Sequence, residues 1–251
     1  MIRRFVTMTE SVDVKAGIKN IVERIEIASR KRPEKFKNPV QLVAVGKTKP
    51  VEALIDAYDA GQRHFGENYV KELAEKAIDP KILENCKDIK WHFIGHLQTN
   101  KINKVIKLPG LYMIQTIDSE KLAEAVNNAW EKNRLESDGK LKVLIQVNTS
   151  AEDAKNGVDP DKVPELFEFI NDKCKALKLE GLMTIGAFGY DYTKGPNPDF
   201  TALMECLNHL PNPESLQVSF GMSNDFEEAI QVGSTIVRVG SSIFGFRPKK
   251  L

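Results

Sequence analysis

The sequence has few cysteines and no long hydrophobic run. Its three cysteines, Cys86, Cys174 and Cys206, are odd in number and do not have the spacing of metal ligands. This usage excludes a disulfide-stapled scaffold and suits a reducing compartment, and we interpret the three thiols as buried and unreactive. No apolar stretch approaches the roughly 20 residues of a membrane helix, so we predict a soluble protein with no membrane partner.

An excess of charge of either sign is also missing. Lysine and arginine number 36 against 35 aspartates and glutamates, and the charges are mixed along the chain. Without a basic block we expect no nucleic-acid partner. The first residues, "MIRRFVTMTE", carry two arginines but no long apolar core, so they are not a secretory signal. We expect a cytoplasmic protein, and a short mitochondrial presequence is the alternative.

No linker divides the chain. The segment "GYDYTKGPNPDF", residues 189–200, is rich in glycine and proline, but we interpret it as one long loop between a strand and a helix. With 251 residues and 41% hydrophobic content, the chain can bury a full core. We therefore expect a single domain over residues 1–251, with residues 1–9 flexible.

What the sequence does contain is a regular alternation of strand-like and helix-like patterns. Eight strands are predicted, at "QLVAVGK", "HFGEN", "WHFIGH", "LYMIQTID", "KVLIQVN", "GLMTIGA", "LQVSFGM" and "TIVRVGSS". Helical patterns separate them, and an amphipathic helix near residues 10–31 precedes the first strand. This alternation predicts parallel pairing in a (β/α)8 TIM barrel. An open doubly wound sheet is the alternative, although no G-x-G-x-x-G follows the first strand.

Chemistry in such a barrel takes place at the C-terminal ends of the strands. Polar residues lie in the last part of the predicted strands or just after them, namely Lys47, Glu67, Asn68, His96, Gln98, Asp118, Asn148, Ser223, Asn224, Arg238, Gly240, Ser241 and Ser242, and Thr184 lies within the sixth strand. The sequence therefore predicts a polar barrel mouth.

The last two strand ends have the composition of a phosphate site. In "FGMSNDFEEAI", Gly221, Ser223 and Asn224 precede a predicted helix, whose first amide hydrogens suit an anion. A second Gly-Ser turn follows in "RVGSSIFG". Loops after strands seven and eight frequently bind phosphate in barrels. The alternative is that Ser223 or Asn224 only caps its helix.

Lys47 follows the apolar run "LVAVG". A lysine is ordinarily a solvated charge, but desolvation at a barrel mouth would favour the neutral amine, which is nucleophilic toward carbonyls. Facing a phosphate site, such an amine fits a Schiff base with pyridoxal phosphate (PLP). A phosphate counterion or a cofactor-free aldolase lysine also fits at this point. We expect Lys49, two residues further on, to be solvated.

Six motifs carry a family resemblance. In chain order they are "VAVGKTKP", "HFGENYVKE", "WHFIGHLQTNK", "GLMTIGA", "FGMSNDFEEAI" and "VRVGSSIFG". Together they resemble the pyridoxal-phosphate homeostasis protein family, whose barrel is similar to the N-terminal domain of alanine racemase. The similarity extends over residues 10–247.

The resemblance implies a cofactor site. Lys47 would form the Schiff base with PLP; Ser223, Gly240 and Ser241 would hold its phosphate; Arg238 would face the pyridine nitrogen; and Asn68 would line the pocket. The chain departs from the family pattern at two positions. His96 stands where a small residue or proline is usual, and Ser241 where threonine is usual, but serine keeps the hydroxyl. We interpret His96 as a local variation without a catalytic role.

Arg238 and the tyrosines bear on whether the protein is an enzyme. An arginine at the pyridine nitrogen stays charged and donates, so it discourages carbanion chemistry. The resembling racemases take a second acid or base from a tyrosine of an additional β domain, which this sequence is expected to lack. Tyr58, Tyr69 and Tyr112 are predicted in helices or at a strand start, and only Tyr190 and Tyr192 could substitute weakly.

Two functions follow from these expectations. The favoured one is a monomeric protein that holds PLP, maintains its intracellular supply and passes it to apo PLP enzymes, without robust turnover. The alternative is a weakly active PLP-dependent racemase or related enzyme. A cofactor-free lysine enzyme is the third.

Several other residues have structural interpretations. Trp91 and Trp130 are predicted to be core residues. His92 is predicted to be a satisfied structural histidine, and Glu67 to hold its turn. The segment "KELAEK", residues 71–76, is interpreted as a solvated helix face.

Overall fold

The computed structural model describes residues 12–34, 36, 38–150, 156–187 and 189–246. Residues 1–9, for which flexibility is predicted, lie outside the described residues. Eight parallel strands form one closed barrel in sequence order. They are β1 (Gln41–Val45), β2 (His64–Glu67), β3 (Lys90–Phe93), β4 (Leu111–Ile117), β5 (Leu141–Gln146), β6 (Leu177–Met183), β7 (Gln217–Ser219) and β8 (Ile236–Val239).

Closure of the barrel comes from the pairing of the first strand with the last. Gln41 of β1 lies opposite Ile236 of β8, and Ala44 lies opposite Val239. Because β1 pairs with β2 on its other side, it has no free edge. The predicted TIM barrel is confirmed, and the open doubly wound sheet is wrong. The prediction of a single domain over residues 1–251 stays a prediction.

Helices surround the strands. Within the described residues they are α1 (Val14–Ser29), α2 (Val51–Asp59), α3 (Val70–Ala77), α4 (Pro80–Asn85), α5 (Ile102–Val105), α6 (Glu120–Asn133), α7 (Val163–Lys173), α8 (Pro198–Asn208), α9 (Phe226–Val232) and α10 (Ser241–Phe244). Among the described residues, only the four-residue α10 follows β8, so another helix is needed to complete the outer ring at that position.

Helix α1 supplies that covering. The side chain of Asp13 accepts a hydrogen bond from Ala16 N and starts the helix. Its apolar stripe is buried, and the helix packs against α2, α9 and α10. Arg24 of α1 donates two hydrogen bonds to Glu227 of α9, at 3.1 and 2.6 Å. The predicted N-terminal helix therefore fills the place of an eighth outer helix.

The core has two parts. The larger part lies between the outer faces of the strands and the helices and contains Trp91, which is fully buried, and Trp130. A smaller cluster fills the barrel interior with Val43, Met113, Leu144, Met183 and Ile236. The prediction that both tryptophans are core residues is confirmed.

The cysteines and the membrane prediction can also be compared with the structure. All three cysteines are buried free thiols, as predicted. Burial raises the pKa of Cys86 and of Cys174 to about 11, which disfavours the reactive thiolate. Among the described residues, no helix combines the length and apolar character needed to cross a membrane.

The predicted third, seventh and eighth strands all end earlier in the structure, and the largest differences from the prediction concern β8, β6 and α4. The last strand was predicted to run through Ser242, but β8 ends at Val239 and Ser241 begins α10. Strand β6 begins at Leu177 and not at Gly181. Glu180 of this strand forms ion pairs with Lys178 at 2.9 Å and with Lys142 at 3.6 Å. These charged residues interrupt the apolar pattern, so the first part of the strand was not predicted. Helix α4 was not predicted.

Candidate functional site

The six predicted site residues lie at one end of four neighbouring strands. Lys47 follows β1, Asn68 follows β2, Ser223 follows β7, and Arg238, Gly240 and Ser241 belong to β8 and the turn after it. Since the barrel places β7, β8, β1 and β2 side by side, these residues share one sector of its C-terminal mouth. The structure thus brings together residues that are up to 194 positions apart, from Lys47 to Ser241.

Lys47 faces the barrel interior. A Cβ at Gly66 of β2 would touch both Val43 and Val45, so these two side chains of β1 point inward. Gly46 still pairs with β2 through a 3.1 Å bond to the carbonyl of Gly66, and a Cβ on it would meet the outer layer at Glu67. The alternation of faces therefore places Lys47, which is half-buried, on the interior side. It lies two residues beyond the end of β1.

The backbone on both sides of Lys47 is held by a buried ionic cluster. Lys76 Nζ donates to the carbonyl oxygen of Gly46 at 2.8 Å, to Glu67 Oε1 at 2.7 Å and to Glu72 Oε1 at 2.7 Å. The same oxygen of Glu72 accepts from Thr48 N at 2.5 Å. One ammonium therefore fixes the residue before Lys47 directly, and the residue after it through Glu72.

This cluster corrects two sequence interpretations. Lys76, in the segment interpreted as a solvated face, is buried, because α3 turns its last residues toward the end of β1. Glu67 was interpreted as holding the turn after its own strand, β2. Its carboxylate instead binds Lys76, which holds the turn after β1. Burial of Glu67 raises its pKa to about 7, although the ammonium of Lys76 opposes the shift.

Thr48, the residue after Lys47, has a φ of 65°. This left-handed conformation is disfavoured for a β-branched residue and costs about 1–3 kcal/mol, so the surrounding contacts must impose it. Lys49 is not simply solvated, contrary to the prediction. Its ammonium donates to the carbonyl oxygens of Gly245 at 2.9 Å and Phe246 at 3.2 Å, and ties the chain after α10 to the chain after β1.

Ser223 joins the two turns that were predicted to hold phosphate. Its Oγ accepts a 3.1 Å hydrogen bond from the amide of Gly240. Helix α9 begins only at Phe226, with Asp225 as its N-cap residue, and Asp225 accepts from the amide of Met222 at 2.5 Å. The alternative in which Ser223 or Asn224 caps this helix is therefore wrong.

Gly240 and Ser241 form the start of α10. A Cβ at Gly240 would lie 3.2 Å from the carbonyl oxygen of Val45, so this turn lies directly against the end of β1. The first amide groups of α10 have no acceptor within the helix and carry its positive dipole end. A short extra helix after the last strand is a recurrent phosphate site in barrels.

Arg238 crosses the interior above the apolar barrel cluster. Its side chain follows Ile236 on the inward face and is 5% exposed. Nη1 donates to Ser219 Oγ at 2.6 Å and Nη2 donates to the carbonyl oxygen of Thr184 at 2.8 Å. Burial lowers the pKa of Arg238 to about 10, and the nearby carboxylate of Asp225 opposes this effect. The guanidinium is thus a fixed cation at neutral pH.

Asn68 carries a buried amide oxygen without a hydrogen-bond partner among the described residues. It lies two residues beyond Gly66 on the same inward face of β2. The backbone of Asn68 presses against Gly95, where a Cβ would lie 1.9 Å from the carbonyl oxygen of Asn68. Gly95, which sequence reasoning missed, is therefore required for the position of Asn68.

His96 and the tyrosines lie away from this arrangement or have other contacts. His96 is 46% exposed and its Nδ1 lies 3.8 Å from Asp118 Oδ2. Tyr58 belongs to α2, Tyr69 directly precedes α3, and Tyr112 is the second residue of β4. Tyr192 hydroxyl accepts from Asn197 at 3.4 Å, and burial raises the pKa of Tyr192 to about 12, which disfavours its use as a base.

This set of polar groups suits a phosphorylated aromatic aldehyde. A half-buried amine, a phosphate-type turn, a fixed guanidinium and an amide oxygen with no partner among the described residues surround one mouth. The family model of the alanine racemase N-terminal domain matches residues 22–248. A pyridoxal phosphate homeostasis protein of Bos taurus is 48% identical over 96% of this chain and 90% of its own length.

The chain belongs to the pyridoxal phosphate homeostasis protein family. The resemblance seen in the sequence motifs is thereby confirmed. Among solved structures, PipY of Synechococcus elongatus PCC7942, with PLP bound, superposes with a TM-score of 0.71 at 30% identity, covering 90% of this chain and 100% of PipY. Alanine racemase of E. faecalis has a TM-score of 0.63 at 19% identity, covering 95% of this chain and 60% of the racemase, and shares the fold.

Proposed function

We propose that this protein binds PLP as a Schiff base on Lys47 and maintains the intracellular supply of PLP without robust substrate turnover. The observation that carries the proposal is the inward-facing, half-buried Lys47 beside the turn in which Ser223 Oγ accepts from Gly240 N. Support comes from relatives named pyridoxal phosphate homeostasis proteins and from PipY, whose structure contains PLP.

Lys47 binds the aldehyde. Its neutral Nζ would bond to the aldehyde carbon, the carbonyl oxygen would leave as water with the two hydrogens of the amine, and hydrolysis would reverse the reaction. Lys76 and Glu72 hold the backbone on either side of Lys47, so the amine approaches from a fixed position. The strain at Thr48 is consistent with a turn that is shaped for this purpose.

Ser223, Gly240 and Ser241 bind the phosphate. The hydroxyl of Ser223 and the first amides of α10 converge beside β1, and a dianionic phosphate gains from hydrogen bonds and from the helix dipole. The hydrogen bond between Ser223 Oγ and Gly240 N keeps the two turns together. Ser241, with a hydroxyl of its own, can donate in place of the usual threonine.

Arg238 and Asn68 contact the ring. The guanidinium has two groups bonded to Ser219 and Thr184, and it can donate another N–H to the pyridine nitrogen. PLP supplies an electron sink when its pyridine nitrogen is protonated. Because Arg238 has no tendency to give up its proton at neutral pH, it donates a hydrogen bond without transferring a proton. The oxygen of Asn68, which has no partner in the part of the chain that the structure describes, is available to a polar substituent of the ring.

These features favour binding over turnover. A racemase or related PLP enzyme is the second candidate, and the fold shared with alanine racemase favours it. Racemisation needs an acid or base opposite the lysine. Tyr192 is bonded to Asn197 and its pKa is about 12, so it is a poor base. A panel of amino acids separates the candidates: stereospecific turnover that is lost in Lys47→Ala would establish the enzyme.

The first experiment is the visible absorption spectrum of the purified protein before and after borohydride, with mass spectrometry of the Lys47 peptide. We expect a yellow band that reduction removes and a phosphopyridoxyl mass on Lys47. Lys49→Ala, a change in the neighbouring lysine, should keep the label. A colourless protein that takes up no added PLP would contradict the proposal and favour a cofactor-free lysine enzyme.

The wider role is part of the same proposal. We infer that the protein passes PLP to apo PLP enzymes and acts as a monomer in the cytoplasm, with a mitochondrial fraction as the alternative. Transfer is tested by mixing the loaded protein with an apo PLP enzyme and following the recovery of that enzyme's activity against free PLP at the same concentration. Recovery no faster than with free PLP would exclude direct delivery.

A further inference from the structure

A hydrogen-bond chain crosses the barrel interior beneath the proposed cofactor site. Arg238 Nη1 contacts Ser219 Oγ at 2.6 Å, Ser219 Oγ contacts Gln115 Oε1 at 2.7 Å, Gln115 Nε2 contacts His92 Nδ1 at 3.0 Å, and His92 Nε2 contacts His64 Nδ1 at 2.8 Å. The five residues come from β8, β7, β4, β3 and β2. All are buried except His64, which is half-buried toward the N-terminal end of the barrel.

The chemistry of Arg238 sets the direction of the chain. A guanidinium only donates, so Ser219 Oγ accepts from it and gives its own hydrogen to Gln115 Oε1. The amide nitrogen of Gln115 then faces His92 Nδ1 and donates to it. His92 must carry its hydrogen on Nε2, from which it donates to His64 Nδ1. If the Gln115 amide were rotated by 180°, its NH2 group would face Ser219. The buried Ser219 hydroxyl would then lose Gln115 Oε1 as the acceptor of its hydrogen.

We propose that Ser219, Gln115, His92 and His64 are positioning residues that orient the Arg238 guanidinium toward the ring of PLP. The inference rests on the proposed function for its ligand. Its physical basis is that a planar guanidinium anchored at two nitrogens cannot rotate, so its remaining N–H groups keep one direction. The anchors are Ser219 Oγ on one side and the carbonyl oxygen of Thr184 on the other.

The environment of the two histidines maintains the chain at neutral pH. Burial, together with the nearby cations Lys90 and Lys142, lowers the pKa of His64 to about 4. Burial also holds the pKa of His92 well below its usual range. The Tyr112 ring packs edge-on against His64, and Lys142 donates to the hydroxyl of Tyr112 at 2.7 Å. Two neutral imidazoles can each accept on Nδ1 and donate on Nε2, as the chain requires.

The first test measures histidine tautomers in the protein without added PLP, by ¹⁵N-edited NMR of the imidazole nitrogens. We expect His64 and His92 to carry hydrogen on Nε2. In Gln115→Glu, a carboxylate that only accepts should force His92 to move its hydrogen to Nδ1. An Nδ1–H tautomer of His92 in the wild type, or an unchanged tautomer in folded Gln115→Glu at a pH at which the new carboxyl is ionised, would overturn the polarity of the chain.

The second test measures the effect on the cofactor. Ser219→Ala should raise the dissociation constant for PLP by about threefold to tenfold, the range for the net contribution of one typical hydrogen bond, and should shift the visible absorption band. Gln115→Met should act in the same direction more weakly. Thr116→Val is the matched control, because Thr116 is a buried neighbour on β4 whose hydroxyl has no hydrogen-bond partner among the described residues.

The outcomes separate this inference from the proposed function. If the wild type binds no PLP, the proposed function fails, while the NMR result still decides whether the hydrogen-bond chain has the inferred direction. If the wild type binds PLP and Ser219→Ala keeps the wild-type affinity and absorption band, the positioning role is overturned. Thermal melting of each variant identifies unfolding, and Gln115→Met provides the cofactor measurement if Ser219→Ala does not fold.

Discussion

The ammonium of Lys76 lies 2.7 Å from a carboxylate oxygen of Glu67, and both side chains are almost completely buried. The pair lies outside the barrel wall, directly behind the turn that carries Lys47. Lys76 also donates to the carbonyl oxygen of Gly46, the residue before Lys47. The buried pair is therefore linked directly to the backbone beside the proposed nucleophile.

Lys76→Met should destabilise the protein strongly. The change leaves the buried carboxylate of Glu67 without its cation, for which the expected loss in free energy of unfolding is about 3–5 kcal/mol. Lys71→Met is the control. The Lys71 side chain is 89% exposed and its Nζ lies 3.8 Å from Glu75 Oε1, so this surface ion pair is weak. Urea denaturation of both variants measures the difference. Equal midpoints would mean that the Glu67 pair does not stabilise the fold.

The same cluster predicts a pH dependence. The pKa of Glu67 is about 7 in the folded protein, against an ordinary value of 4.5. Between these values the folded state binds more protons than the unfolded state, so the free energy of unfolding should fall as pH rises through this window. Glu67→Gln should remove about 1–3 kcal/mol of this fall. Denaturation of both proteins from pH 4 to 8 gives the difference curve, and parallel curves would contradict the prediction.

Ser223→Ala should weaken PLP retention more than Lys47→Ala does. Phosphate contacts anchor the cofactor, whereas the covalent bond to Lys47 is reversible, and the variant also loses the bond from Gly240 N to Ser223 Oγ. We expect about a tenfold rise in the dissociation constant. Ser242→Ala is the control, because that exposed hydroxyl makes only a 3.5 Å contact with Ser223 O. Dialysis followed by assay of bound PLP measures retention; wild-type retention in Ser223→Ala would refute the prediction.

Gly95→Ala should displace Asn68 and lower PLP affinity. The added Cβ would lie 1.9 Å from the carbonyl oxygen of Asn68, so the backbone must move, at a cost of about 1–3 kcal/mol in the free energy of unfolding. Gly139→Ala serves as the control. Gly139 has a φ of 66° with open space around it, and lies before β5 at the opposite end of the barrel. That variant should lose about 1 kcal/mol and keep its PLP affinity, as titration would show.

The barrel could be predicted because its strands are short apolar runs with helices between them. The exceptions have local causes. In β6, Lys178 and Glu180 form an ion pair with each other. The apolar pattern of this strand therefore begins only after them. Helix α10 has only four residues, which is too few to show a helical period.

The site was predicted less completely than the fold. Motif resemblance identified Lys47, Ser223 and Arg238, which the structure places in one sector of the mouth. The supporting residues gave no local signal. Lys76 lies in a charged helical segment, and its burial depends on the docking of α3 against β1. His92 was predicted to be a satisfied structural histidine, and its two hydrogen bonds confirm this, but its partners could not be known before the strand register.

The packing of α1 against α9 and α10 has a consequence for how the chain folds. The ion pair between Arg24 and Glu227 joins positions 203 residues apart, and β1 takes its second partner only from β8. During synthesis, β1 must therefore wait with one open edge until nearly all of the barrel has left the ribosome. Such late, long-range closure slows folding and leaves an apolar strand edge exposed to other chains until β8 pairs with it.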